Sequence, residues 1–381
     1  MVANVNPKII TWARHRCGLS IEDLAGKMKR KPEEIRMWED GSKTPSYTSL
    51  EALAYRHLKI TLALFFFPDP PDIEDPKTKF RRLPDYEFAR LSPDTIQMMQ
   101  LAQGYQESVA SLMPRDKSVQ RIFREIVPRK LTPRDLGRQA RQYIGLSMEQ
   151  QFGFANAEAA FKGWRHALEM AGIFTFKGSL KDRFISGFSL LDEGFPIIFV
   201  NNSSAFTRQT FTLAHELGHI LWQVYGITDI DDSYIKFMSA HDRSIEIRCN
   251  QFAAELLVPE EAFEEEITKI KTINSKIISK LAEKYSVSRE VILRRFLDNR
   301  LITNEYYNRK SNEWTQDYLR SYKKSTGGNY YFTKLAYLGE GFTRIAFENF
   351  HQGRLTKAEL ATHLNVKARH LDKLEQTMAW W

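Results

Sequence analysis

Short runs of apolar residues at helical spacing fill the first seventy positions of the chain. Ser20, with Asp23 three residues later, matches the signal that begins a helix, and a further run contains Ile35 and Trp38. Several short helices within so few residues predict a compact five-helix bundle of the helix-turn-helix type over residues 1–68. The clearest apolar stripes are Ile9, Ile10 and Ala13 in one helix and Leu24, Ala25 and Met28 in the next.

The pattern changes after residue 68. Prolines alternate with acidic residues there, which predicts a stiff linker, and an amphipathic helix is expected from about 92 to 112. We assign both to a second segment, residues 69–115. Beyond it, apolar runs bounded by Gly, Asp or Asn predict short strands among helices. The strands are expected at Phe174, 184–190 and 196–200, and the helices near 133–144, 156–171, 207–224 and 243–257.

These elements define the expected fold class. We expect an α+β protein that is mostly helical, with a small sheet in residues 116–300 and a helical C-terminal extension over residues 301–381. Two helix pairs, at 278–299 and 355–375, have the form of further small helix-turn-helix pieces. An ordinary helix pair with a charged, solvated face is the alternative interpretation of each.

Composition adds constraints on partners and compartment. The 381 residues carry a net charge of +8, which keeps nucleic acid or an acidic partner among the candidates, although the basic residues are spread along the chain. The longest apolar run, residues 60–68, is about half the length of a membrane span, so no membrane partner is expected. Two distant cysteines and no secretory pattern at the start predict a cytoplasmic protein.

The most specific chemistry lies in the segment HELGH at residues 215–219. Its apolar neighbours predict a helix, on which positions i and i+4 lie about 40° apart, so His215 and His219 face the same way. This spacing suits two ligands of one zinc ion, with Glu216 as general base. The strand expected just before this helix would give an extended peptide an edge for pairing. Alternatively, two histidines at this spacing arise by chance on an amphipathic helix.

A catalytic zinc needs a third protein ligand and one open position. The residues that follow predict a second helix, on which Glu246 can point inward beside an apolar face. A single glutamate on a helix is more often a solvated surface residue, and Cys249 is more readily a small core residue than a nucleophile. The downstream candidates for the third ligand are His241, Asp242, Glu246, Cys249 and Glu255.

Two linked blocks of the chain resemble the ImmA/IrrE family of zinc metallopeptidases. In the first block, a strand that ends in Asn201 leads to an Arg-x-x-Phe-x-x-Ala-His-Glu-x-Gly-His helix, here residues 208–219. In the second, residues 246–259 match Glu-x-x-Ala-Asn-x-Phe-Ala-x-x-Leu-Leu-x-Pro, except that Cys249 stands where the family has Ala. The resemblance covers roughly residues 120–300.

This resemblance implies a zincin-like peptidase domain over residues 116–300. It implies that Zn²⁺ is held by His215, His219 and Glu246, although manganese suits the same donors. It also implies that Glu216 acts as general base toward a metal-activated water in peptide hydrolysis. The implied substrate is a specific cytoplasmic protein, a transcriptional repressor or a related regulator.

The N-terminal residues 7–67 resemble the XRE type of helix-turn-helix domain, on the segments LSIEDLAGKM, WEDG and the following Thr-Pro. In that fold the helix at about 32–38 enters the major groove of DNA. Two glutamates at its start oppose phosphate contacts, whereas Lys31 and Arg36 are candidate contacts to the DNA backbone. The alternative is a bundle that docks a protein or senses a signal.

Two functional hypotheses follow. The first is a zinc-dependent regulatory endopeptidase whose activity can be latent. The second is a helix-turn-helix transcriptional regulator or antitoxin of a toxin–antitoxin or mobile-element system, in which the peptidase fold binds a cognate toxin or senses a signal. The intact metal and base residues favour the enzyme.

Overall fold

The computed structural model divides the chain into two compact units, Met1–Leu101 and Ala102–Trp381. The structure describes residues 5–58, 60, 62–70, 91–113, 121–128, 131–180, 182, 185–224, 227–229, 238–321 and 328–378. Most of the acidic, proline-rich stretch that we expect to be a linker therefore lies outside the described residues. The four-segment division made from the sequence stays a prediction.

Short helices in the first unit follow the apolar stripes of the sequence. Asn6 caps the first helix, and Ser20 forms a reciprocal capping box with Asp23 at the second. The helices are α1 (Pro7–Arg16), α2 (Ile21–Met28), α3 (Pro32–Glu39) and α4 (Tyr47–Glu51), which continues as a π-helical segment (Ala52–Leu58) before a 3₁₀ turn (Leu62–Phe66).

A separate hydrophobic core holds this unit together. Ile9, Leu24, Trp38 and Leu50 are buried in it, one from each of the four helices. A largely buried ion pair adds to the core, because the Arg14 guanidinium donates to both carboxylate oxygens of Glu39 at 2.6 and 2.8 Å. The helical character of the segment agrees with the prediction, and its assignment to a DNA-binding class stays a prediction.

Helices dominate the rest of the chain. Of the described helices, none combines the length and the apolar composition that a membrane crossing requires. The helices are α5 (Pro93–Leu112), α6 (Ile122–Glu125), α7 (Pro133–Ile144), α8 (Met148–Phe152), α9 (Ala157–Met170), α10 (Phe206–Trp222), α11 (Ala240–Leu257), α12 (Glu260–Ile267), α13 (Ser275–Tyr285), α14 (Arg289–Asp298), α15 (Asn304–Ser321), α16 (Tyr330–Leu338), α17 (Glu340–His351), α18 (Lys357–His363) and α19 (Leu371–Met378).

A small mixed sheet lies in the second unit. Its strands are β1 (Phe174–Gly178), β2 (Ile185–Leu190), β3 (Ile197–Asn201) and β4 (Ile227–Asp229), in the order β1-β3-β2-β4. The β1–β3 pair is parallel, and the β2–β3 and β2–β4 pairs are antiparallel. The first three strands were predicted from the sequence, and β4 was not.

The sheet order corrects one prediction about the substrate. Strand β3 precedes the HELGH helix, and we expected it to offer an edge to an extended peptide. Both sides of β3 are hydrogen-bonded, to β1 and to β2, so it has no free edge. Within the described residues, the outer strands of this sheet are β1 and β4.

Helix α10 packs against this sheet and against the helices α9 and α11. Its inner residues Leu213 and Leu217 share the main core with Val200 of β3 and with Phe252 of α11, and all four are buried. Where α10 crosses β2, Gly187 leaves room for the helix. A Cβ at Gly187 would lie 2.6 Å from both the carbonyl oxygen of Phe199 and the Cγ2 atom of Thr212.

We therefore expect Gly187→Ala to destabilise the second unit by about 1–3 kcal/mol, because neither the backbone of a central strand nor the packed helix can move without cost. The measurement is the free energy of unfolding in denaturant. Gly104→Ala is the matched control: Gly104 is exposed within α5 and has open space at its Cβ position, so alanine should stabilise by up to about 1 kcal/mol. Equal stability of Gly187→Ala and the wild type would contradict the close contact.

Candidate metal centre

Helix α10 places the three polar residues of the HELGH segment inside the protein. His215, Glu216 and His219 are each at most 1% exposed, although they occupy a helix whose other inner residues are mostly apolar. Gln223 ends the helix in the left-handed conformation at φ 56°. Buried polar side chains on a core helix require partners, and those of the two histidines come from α11.

The two helices approach closely because Gly218 faces α11. A Cβ at this position would lie 3.1 Å from the ring of Phe252 and 3.4 Å from the Sγ atom of Cys249. A side chain at this position would therefore be in tight contact with α11, at the level of the histidines. Glu246 of α11, which is 3% exposed, reaches the histidine pair across this contact.

Three side chains converge on one point. The Nε2 atoms of His215 and His219 lie 3.0 Å apart. One carboxylate oxygen of Glu246 lies 3.2 Å from Nε2 of His215, and the other lies 3.2 Å from Nε2 of His219. Ligand atoms at 2.0–2.1 Å from a tetrahedral zinc ion are separated by about 3.3 Å. The spacing of these three donors therefore fits one metal ion.

Asn250 orients the first histidine. Its Oδ1 atom lies 2.9 Å from Nδ1 of His215, and because an amide oxygen only accepts, the histidine Nδ1–H donates. Nε2 of His215 is then left with its lone pair toward Glu246 and His219. Such a second hydrogen bond fixes the tautomer and the ring direction of a metal-binding histidine.

The electrostatics of the cluster follow from burial and pairing. Burial alone would raise the pKa of the Glu246 carboxyl, but the neighbouring imidazoles of His219 and His215 lower it well below its ordinary value. Burial alone would lower the pKa of His219, but Cys249 and Glu246 raise it well above the ordinary value. The three groups hold an anionic carboxylate against the ring nitrogens, which suits binding of a cation.

Cys249 is a second candidate for the third ligand. Its thiol forms a buried cluster with His215 and His219, in which the potential ligand atoms lie within 4.8 Å of one another. Burial raises the pKa of the thiol, and the histidine opposes that rise. Glu246 contacts both Nε2 atoms at 3.2 Å, so the geometry favours Glu246. We therefore assign Glu246 as the third ligand and Cys249 as a buried residue that lies next to the three donors.

The structure separates the other three candidates from this cluster. His241 is exposed at the start of α11, and Asp242 forms hydrogen bonds with the cap residue Ser239. Glu255 is buried, but its carboxylate pairs with Arg295 at 3.0 Å and with Arg138 at 3.4 Å. Sequence spacing alone had not distinguished these three residues from Glu246.

The residues predicted to contact DNA lie at the surface of the first unit. Lys31 precedes α3 and is exposed. Arg36 is also exposed, but its guanidinium pairs with Glu22 at 2.8 Å and with Glu33 at 3.7 Å. Contact with a phosphate would compete with these carboxylates. DNA binding through Lys31 and Arg36 stays a prediction.

Comparison with known families agrees with this geometry. Residues 168–297 match the Peptidase_M78 family model, which describes the IrrE N-terminal-like domain. The match covers about a third of the chain and includes α10 and α11. It supports the resemblance to the ImmA/IrrE family and indicates a metallopeptidase of that type. The comparison with curated proteins gave no match.

The assignment of the third ligand predicts different metal contents for two variants. Glu246→Ala should lose most of its bound zinc, because it removes the donor that contacts both histidines. Cys249→Ala should retain about one zinc per chain. The measurement is metal content after equilibration with limiting free zinc, with circular dichroism to compare folding. If instead Cys249→Ala lost its zinc and Glu246→Ala retained it, Cys249 would be the third ligand.

The hydrogen bond from His215 to Asn250 predicts an effect on affinity. Asn250→Ala should weaken zinc binding about 10- to 100-fold, as loss of such an orienting partner does. Asn250→Asp keeps an acceptor and should bind zinc at least as tightly as the wild type. Gln251→Ala, at an exposed position of the same helix, is the control. The measurement is competition with a chromogenic chelator, and unchanged affinity of Asn250→Ala would exclude the orienting role.

Proposed function

We propose that this protein is a zinc-dependent endopeptidase that cleaves a specific regulatory protein. The observation that carries the proposal is the convergence of two imidazole nitrogens and one carboxylate within 3.2 Å, next to Glu216. The match to the IrrE N-terminal-like domain supports it independently, because that family model covers the same two helices.

Zinc suits the donor set of the cluster, which is two imidazoles and a carboxylate. His215, His219 and Glu246 would hold the ion, which when bound polarises a peptide carbonyl and makes water more acidic. Asn250 keeps the His215 ring in the direction that this binding requires. Three protein ligands leave one position open, as catalytic zinc sites do.

Glu216 is the general base of the proposal. It follows His215 directly on α10 and is fully buried beside the cluster, outside the set of three donors. Its carboxylate takes a proton from the water whose oxygen forms a bond to the peptide carbonyl carbon. The same carboxyl group then gives that proton to the amine nitrogen as the carbon–nitrogen bond breaks.

The outer strand β4 offers an edge with which the backbone of an extended substrate would pair. Strand β4 contacts α10 and, within the described residues, is paired on one side only, to β2. An extended peptide that adds to a sheet edge is held by backbone hydrogen bonds and tolerates many side chains. We place the substrate along β4 for this reason, since the central position of β3 excludes pairing there.

Burial of the cluster supports latent activity. The four residues proposed for chemistry are at most 3% exposed. A substrate or a signal that opens the site would provide the control expected of a regulatory peptidase. The proposed substrate is a repressor or related regulator, which follows from the resemblance to ImmA/IrrE proteins.

The proposed role of Glu216 predicts that Glu216→Gln abolishes cleavage while metal content stays at the wild-type level. Glutamine keeps the shape of the side chain and cannot take the proton. The measurement is labelling of new protein N-termini in an extract of cells that express either form, because this labelling detects cleavage of any protein in the extract.

Wild-type protein should generate a small set of new N-termini that is absent with Glu216→Gln and with Glu246→Ala. The first variant is the matched control for the chemistry because it retains metal, and the second removes metal. Identical sets of N-termini from the wild type and Glu216→Gln would contradict the peptidase proposal.

A further inference from the structure

A pocket separate from the metal centre lies beside the first residue of α10. Phe206, the first residue of that helix, forms one wall, and Phe161 of α9 forms another. Lys177 of strand β1 also lines it, together with residues of α9, α16 and α17. All of these elements belong to the second unit.

Lys177 carries a buried amine in contact with two aromatic rings. Its side chain is 4% exposed, and its Nζ atom lies 4.5 Å from the ring centre of Phe161 and 4.9 Å from that of Phe206. Among the described residues, no carboxylate lies within ion-pair distance of Nζ. The contacts with the two rings compensate only part of the cost of burying an ammonium group.

Other charges of the pocket have partners. Lys162 pairs with Glu158 at 3.2 Å, and Arg165 pairs with Glu169 at 3.2 Å. Arg165 also donates to the carbonyl oxygen of Ala336 at 2.7 Å. Glu340 pairs with Arg344. Within the described part of the chain, these pairs leave Lys177 without a matching anion.

Burial, helped by the positive charges of Arg165 and Lys162 and opposed by Glu158, lowers the pKa of Lys177 to about 7. Near pH 8 most of the amine is therefore neutral, and an anion beside it would restore the proton. Helix α10 contributes Phe206 to this environment, and α16 contributes Ala336. The titratable groups that face the pocket are Glu158, Lys162, Arg165, His166 and Glu169 on α9 and Glu340 on α17.

We propose that this pocket binds a small organic carboxylate, whose carboxylate group pairs with Lys177 and whose apolar body lies against Phe161 and Phe206. The single positive charge of Lys177 fits a monoanion, whereas a phosphate dianion would leave a negative charge uncompensated in a buried site. This site is distinct from the metal centre and does not depend on peptidase activity.

The test uses sodium benzoate and the full-length protein in titration calorimetry at pH 8. Benzoate should bind the wild type and take up close to one proton per ligand, because a lysine with pKa about 7 is roughly nine-tenths neutral at that pH. The proton number is measured by comparing two buffers of different ionisation enthalpy. Lys177→Arg should bind benzoate without proton uptake, and Lys177→Met should not bind it.

A second measurement does not depend on how the variants fold. Cyanate carbamoylates neutral amines, so Lys177 of the wild type should react at pH 8, and benzoate should protect it in mass-spectrometric mapping. Absence of benzoate binding and of protection at about 10 mM ligand would overturn the proposal. Equal binding by a folded Lys177→Met, or binding of inorganic phosphate in place of benzoate, would overturn it as well.

Discussion

The close approach of α10 to α11 is the constraint on which the centre of this protein depends. Gly218 makes the approach possible, because Phe252 and Cys249 occupy the space that a side chain would need. The approach brings Glu246 within 3.2 Å of both histidine Nε2 atoms. Helix α10 also packs against the sheet, where Gly187 allows a still closer contact. Gly218 and Gly187 therefore allow α10, with its polar residues, to pack closely against both α11 and the sheet.

The polar cluster and the apolar core depend on each other. Leu213, Leu217 and Phe252 are buried in the core on the same two helices as the cluster, and an unpaired polar group buried there is costly. Asn250, Glu246 and the two imidazoles meet part of this cost by pairing with one another. Loss of one partner leaves the others buried without compensation, so the site is stable as a set. The same principle identifies Lys177, to which the described residues supply aromatic rings and no anion within ion-pair distance.

The spacing of apolar residues predicted the helices and most strands well, but it did not predict the order of the strands in the sheet. The predicted helix at 133–144 and the strands before α10 agree with the structure, because apolar spacing and capping signals are local. Strand β4 was missed because three residues carry little pattern. The central position of β3 was also missed, since strand order depends on crossovers that leave no signal in a strand itself.

At the metal centre, too, the sequence predicted what depends on one helix and not what depends on contacts between helices. Helical spacing alone identified His215 and His219 as a pair, whereas five downstream residues remained candidates for the third ligand. The resemblance selected Glu246, and the structure gives the physical reason, since Glu255 pairs with Arg295 and His241 faces solvent. Asn250 received no role from the sequence. Its position one helical turn after Glu246 was the available signal, because both side chains then face α10.

X-ray absorption at the zinc edge of the metal-loaded wild type tests the central claim most directly. The account predicts nitrogen and oxygen ligands at about 2.0–2.1 Å, with the outer-shell scattering of two imidazole rings and no sulfur. A sulfur shell at about 2.3 Å would place Cys249 on the metal, and a spectrum without imidazole scattering would contradict the site formed by α10 and α11.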